Sequence, residues 1–211
     1  MIELRIGELA ALTTAFCWTI TAMSFETASR KVGSVAVNII RLVMAFVLLS
    51  LFSYINRGLF FPVDASLHSW QWLILSGFIG FVIGDLFLFE AFTLIGSRLS
   101  MLIMTLVPPI TATLGFMLLA EQMSWLNIFG MALTISGIAL VIFKRHSGKG
   151  EIVKYPVKGL FFAFLGAAGQ AGGYVLSKYG MGEFDPFAAT HIRVMAGIFG
   201  FTIVVSFFKR W

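Results

Sequence analysis

Four ionisable residues stand inside long apolar runs of this chain: Arg41, Asp85, Glu90 and Arg193. A charge in such surroundings is costly, so it marks either a functional site or a bonded partner. The two arginines and two carboxylates sum to zero. That fits pairing, because an unpaired charge in low dielectric costs far more than a matched one. Asp85 and Glu90 lie five residues apart, so on a helix they point about 140° apart and cannot both face one partner. One can line a solute path while the other braces an arginine. The competing reading makes all four structural glue. A carboxylate withdrawn from water can take up a proton, which is the chemistry a proton-coupled process needs. Asp85 is the first choice for that role, because Glu90 lies nearer a helix end.

Other residues could shape or line the same path. Pro108 and Pro109 remove two backbone donors from an apolar run and predict a broken or kinked helix, either a hinge or a fixed kink. Gly80 with Gly84, and Gly169 with Gly173, form small-xxx-small pairs that let helices approach closely, and packing is the preferred reading. Trp18, Gln170 and Tyr174 could project into a central cavity or contact lipid and neighbouring helices. His191 lies two residues before Arg193, so it is expected to face another way as a hydrogen-bonded core histidine. Cys17 reads as a small packing residue, and a single cysteine excludes an internal disulfide framework. The chain has no histidine pair of a metalloprotease, no nucleophile elbow and no phosphate-binding glycine loop. No enzyme activity, metal or cofactor is expected.

The elements that must position these residues are transmembrane helices. Of 211 residues, 59% are hydrophobic and 12% charged, and the mean hydropathy is +0.94. Too little polar surface exists to cover such a chain in water, so lipid is its main solvent. In lipid only helices or closed barrels satisfy the backbone. The apolar runs are continuous rather than alternating, which favours helices. Seven spans are expected, at 7–28, 35–55, 72–95, 99–120, 126–143, 159–176 and 187–208. The stretch 144–158, KRHSGKGEIVKYPVK, is polar, basic and rich in breakers, and reads as a linker. The net charge of +5 comes from basic residues at span ends, where headgroups lie, and implies no nucleic-acid partner.

A gapless shift that places Arg41 on Arg193 also places Gly7 on Gly159, Ala11 on Ala163, Ala15 on Ala167, Ala36 on Ala188 and Ile40 on Ile192. Residues 1–146 then form a first repeat of five helices. Residues 147–211 hold the linker and the first two helices of a second, incomplete repeat. An odd number of spans per repeat inverts the second copy in the membrane.

With that register in view, the chain resembles the drug/metabolite transporter superfamily, specifically its EamA-type members, which have ten helices in two repeats of five. The resemblance rests on GELAALTTAFCW in the first helix and RLVMA at Arg41 in the second. It rests further on GDLFLFEAFTLIGSRLSMLIMTLVPPITATLGFMLLAEQMSW through Glu121, and on NIFGMALTISGIALVIFKR in the fifth helix. The resemblance implies that three helices lie beyond Trp211, so the chain is expected to be a fragment or a truncated form.

The expected function is secondary transport of a small metabolite or drug-like solute by alternating access, as export or exchange, with a proton or ion as a candidate coupling partner. The sequence leaves direction and coupling ion open. The alternative is a seven-helix receptor-like or other non-transporting membrane protein. The partners are then the lipid bilayer and a small-molecule solute, and the resemblance implies a multi-pass protein of a prokaryotic inner membrane. The excess of Lys and Arg after the first and third helices, in the linker and at Lys209 and Arg210 places the N-terminus outside. The resemblance places it inside, and the orientation stays open.

Overall fold

The computed structural model describes residues 2–144 and 156–208. Most of the expected linker, and Lys209 and Arg210, lie outside them. The described residues form only helices and their connections: α1 (Ile2–Val32), α2 (Ser34–Arg57), α3 (Leu67–Gly77), a π-helical turn (Phe78–Gly84), α4 (Asp85–Met104), α5 (Val107–Leu119), α6 (Trp125–Lys144), α7 (Val157–Met181) and α8 (Pro186–Phe208). The fold is an all-α, polytopic membrane bundle. Among the described residues, four stretches are long and apolar enough to cross a bilayer by themselves: Ser34–Arg57, Leu67–Met104, Val157–Met181 and Pro186–Phe207.

The run Leu67–Met104 is not one straight rod. At Gly96 the backbone takes φ 80° and ψ 158°, a conformation that favours glycine. Before the break the chain descends along α7. Trp72 and Leu73 meet Gly180, Gly80 meets Gly173, Gly84 meets Gly169, and Leu94 and Ile95 meet Gly159. After the break it returns. Leu99 packs with Ala163, then Val107 with Ala167 and Ala171, and finally Leu118 and Leu119 share a cleft with Trp72, Val175 and Tyr179. Gly96 is therefore the turn of a helical hairpin, between the third and fourth expected spans.

The returning arm is itself interrupted. Pro108 and Pro109 stand in the first turn of α5, so the break precedes them. Their rings exclude a continuing helix over the preceding turn, which tightens instead. Thr105 N–H donates to Leu102 O at 3.2 Å, and Leu106 N–H to Ile103 O at 2.9 Å.

Close approach is what joins α7 to α3, the π turn and α4. A Cβ built on Gly169 would stand 2.8 Å from Gly84 Cα. One built on Gly173 would stand 2.8 Å from Gly80 Cα. No side chain larger than hydrogen fits these crossings. α8 lies against α2 in the opposite direction: Leu42 meets Gly197, Phe46 and Ser50 meet His191, and Phe52 meets Phe187. The helices that carry Arg41 and Arg193 thus run antiparallel. α6 makes only marginal contact with the rest, and Trp125, Leu126, Phe129 and Leu133 on it are exposed apolar residues suited to lipid.

Gly169→Ala is expected to destabilise the protein by about 1–3 kcal/mol, because backbone rather than a flexible side chain blocks the added methyl. Gly130→Ala on α6, where an added Cβ meets nothing within 4 Å, is expected to be neutral or mildly stabilising. Unfolding by SDS titration in mixed micelles measures both. Equal losses would show that the crossing is not tight.

Candidate functional site

A π turn carries more residues per turn than an α-helix, and it leaves backbone groups available to other partners. Phe78–Gly84 is such a turn, and Asp85 is the first residue after it. Its glycines, Gly80 and Gly84, lie on the α7 crossing. The Gly80 carbonyl accepts from Gln170 Nε2 at 3.5 Å. The turn therefore does two jobs: it lets α7 come close and it aims Asp85 into the gap between α2 and α7.

Asp85 is 2% exposed, and both of its carboxylate oxygens are bonded. Arg41 Nη2 donates to Oδ2 in an ion pair, and Gln170 Nε2 donates to Oδ1 at 2.5 Å. Arg41 also donates to Asn38 Oδ1 at 3.3 Å, and Asn38 is fixed by its own bond to Ser34 O at 3.0 Å. The rings of Phe25, Phe81 and Phe89 surround the Arg41 guanidinium at 5.4–5.9 Å. One acid thus ties three helices, α2, α4 and α7, at a single point. Beside it, Trp18, Thr21, Arg41 and Asp85 line a crevice of about 10 Å³, close to the room one water needs.

Arg193 approaches the same place from α8. Its guanidinium lies 4.7 Å from the Phe81 ring, which Arg41 also approaches at 5.7 Å, and 5.7 Å from the Tyr174 ring. Arg193 is 6% exposed. Among the described residues it has no carboxylate within 4 Å, and its Nε and Nη2 lack hydrogen-bond partners. The zero sum of charges expected from the sequence therefore does not become two pairs. Arg41 and Asp85 pair, whereas Arg193 and Glu90 do not meet. A cation–π contact contributes about 2 kcal/mol when desolvated, less than the several kcal/mol that burying an ion costs. The two rings leave Arg193 undercompensated.

Glu90 accepts from Ser34 Oγ at 2.5 Å and lines a cleft of about 330 Å³ with Lys158, Phe87 and Phe162. It lies on a different side of α4 from Asp85, as the helical spacing requires. His191 is fully buried among Phe46 and Phe61, with Nε2 3.1 Å from Ser50 Oγ, away from the Asp85 cluster. Glu121 pairs with Lys178 at 2.5 Å. Cys17 is exposed rather than packed inside.

Glu26 and Arg30 were not recognisable as site residues from the sequence. The turn at Gly96 frees the Phe92 carbonyl and the Ser97 amide from helical partners. Ser97 N–H donates to Glu26 Oε2 at 2.7 Å, and Arg30 Nη2 donates to Phe92 O at 3.3 Å. The two side chains also pair with each other at 3.1 Å. Their position one turn apart near the end of α1 was the available signal, but it reads equally as an ordinary surface pair. Asn38 and Phe81 were missed for a simpler reason: each looks like any other residue of an apolar helix.

Removing one partner of the central pair, by Arg41→Met or Asp85→Asn, is expected to cost about 3–5 kcal/mol, because the other group loses its main bond in low dielectric. The double variant is expected to lose clearly less than the sum of the singles. Strictly additive losses in SDS unfolding would contradict the pairing.

No curated protein and no solved structure matches the chain. The family model described as the EamA-like transporter family matches residues 5–143. That stretch holds Arg41, Asp85, the π turn, the Gly96 hairpin and both prolines, and it covers more than half of the sequence. The chain belongs to the EamA-like transporter family, whose members are membrane transporters of small solutes.

Proposed function

We propose that the protein is a secondary transporter that exports a small metabolite or drug-like solute by alternating access, with Asp85 as its coupling group. The observation that carries this reading is the single buried carboxylate holding α2, α4 and α7 together beside a crevice sized for one water. A proton delivered to Asp85 through that crevice removes the charge that binds Arg41. The guanidinium then needs another acceptor, and α2 is released from α4. Gln170 lets go of the neutral acid in turn, so α7 can shift along the glycine crossing, where no interlocking side chains resist it. Solute arriving at Arg41 and Arg193 would favour the same release.

Gly96 and the Thr105–Leu106 break are the places where the hairpin can flex. In this reading Trp18, Gln170 and Tyr174 line the path. Pro108 and Pro109 keep the break in place, and Gly80, Gly84, Gly169 and Gly173 form the sliding contact. Glu90, at a separate cleft, is secondary. The bilayer is a prokaryotic cell membrane.

The test is proton-driven uptake into proteoliposomes holding the complete gene product. Asp85→Asn is expected to insert normally and to lose proton-dependent transport, whereas Glu90→Gln keeps most of it. An Asp85→Asn variant with unchanged rate and pH dependence would remove Asp85 from the mechanism.

A further inference from the structure

We propose that the Arg193 guanidinium is the receptor for the carboxylate of an organic-acid solute, so that the ligand of this site is an organic anion with an apolar or aromatic body. The inference rests on the transporter reading for calling that ligand a solute, but the binding itself does not depend on transport.

The first observation is the charge count at the centre. Arg41 and Arg193 lie 5.7 and 4.7 Å from the Phe81 ring, and one carboxylate, Asp85, is bonded there. Both oxygens of Asp85 are already engaged by Arg41 and Gln170. Glu90 is bonded to Ser34 and pairs with neither arginine. Among the described residues the centre therefore carries one positive charge without an anion. In low dielectric such a charge favours an anionic ligand over a neutral or cationic one.

The second observation is which atoms are idle. Arg193 lacks partners at Nε and Nη2. These two nitrogens form the edge of the guanidinium plane whose N–H bonds run parallel, the edge that takes both oxygens of one carboxylate. Its neighbours include a glycine and two rings, none of which accepts a hydrogen bond through a side-chain oxygen or nitrogen at that edge. A Cβ on Gly80 would lie 3.2 Å from Nη2. Phe81 and Tyr174 present faces to the cation and offer apolar surface to the rest of a ligand.

The third observation is approach. Tyr174 is 46% exposed, and α7 and α8 touch each other little. Nε and Nη2 are themselves buried in this conformation, with Nη2 facing Gly80 of the π turn, so a ligand enters from the side that Tyr174 marks only as α7 and α8 part.

The test is equilibrium binding by the purified full chain in detergent, with three probes of one shape: phenylacetate, phenylacetamide and phenethylammonium. Inorganic phosphate is a fourth probe that separates organic acids from small anions. Phenylacetate is expected to bind at least about tenfold more tightly than its amide, and the ammonium not to compete. Arg193→Gln is expected to abolish that preference. Arg193→Lys, which keeps the charge but not the two-toothed edge, should retain only part of it. Circular dichroism and a monodisperse elution profile check that each variant is folded. Amide binding equal to phenylacetate, tighter binding of phosphate, no binding of any probe, or a preference that survives Arg193→Gln would overturn the inference. A carboxylate preference in a protein that proves unable to transport would leave this inference standing and remove only the transporter reading.

Discussion

A carboxylate inside a bilayer needs donors for both oxygens, and those donors must come from helices that can reach it. At Asp85 they come from α2, through Arg41, and from α7, through Gln170. Much of the central architecture follows from that demand. The π turn before Asp85 sets its direction. The glycines of the turn and of α7 let Gln170 come within bonding distance. Asn38 and three phenylalanine rings hold the guanidinium in line. A bulkier residue at Gly84 or Gly169 would push α7 back and leave one carboxylate oxygen unbonded.

The same demand explains the second polar joint. A hairpin turn between two spans frees backbone groups, and these need partners too. Glu26 and Arg30 do so at Gly96, one bonding the Ser97 amide and the other the Phe92 carbonyl. The two joints differ in what they bond. At Gly96 side chains serve fixed backbone groups, which suits a permanent turn. At Asp85 side chains bond one another through a carboxylate, and protonating a carboxylate would weaken such bonds. That contrast is why the Asp85 joint, and not the Gly96 turn, is the one proposed as switchable.

Much of this was legible in the residues. Arg41, Asp85 and Gln170 stood out because polar groups are rare in apolar runs, and the glycine spacing announced close helix contacts. The family followed from the order of motifs through the first five helices, and the match over residues 5–143 covers that region. What could not be read was pairing in space. Net charge gave two acids for two arginines, yet Glu90 sits across the helix from Asp85 and meets Ser34 instead. Periodicity cannot register a π turn, which changes the phase of every later residue. It also cannot tell that Glu26 serves a backbone break seventy positions away. Pro108 and Pro109 signalled the interruption, but steric exclusion acts on the turn before a proline, so the break falls at Thr105 and Leu106.

The central claim is that Asp85 rests as a charged carboxylate bonded by Arg41 and Gln170, and that this pair is what transport unlocks. Difference infrared spectroscopy of the reconstituted protein against Asp85→Asn tests it most directly. At neutral pH without solute, the account predicts that the substitution removes an ionised carboxylate band, shifted by strong hydrogen bonding. Loss of a protonated carboxyl C=O band instead would mean that Asp85 is neutral at rest, and the ion pair could not be the lock.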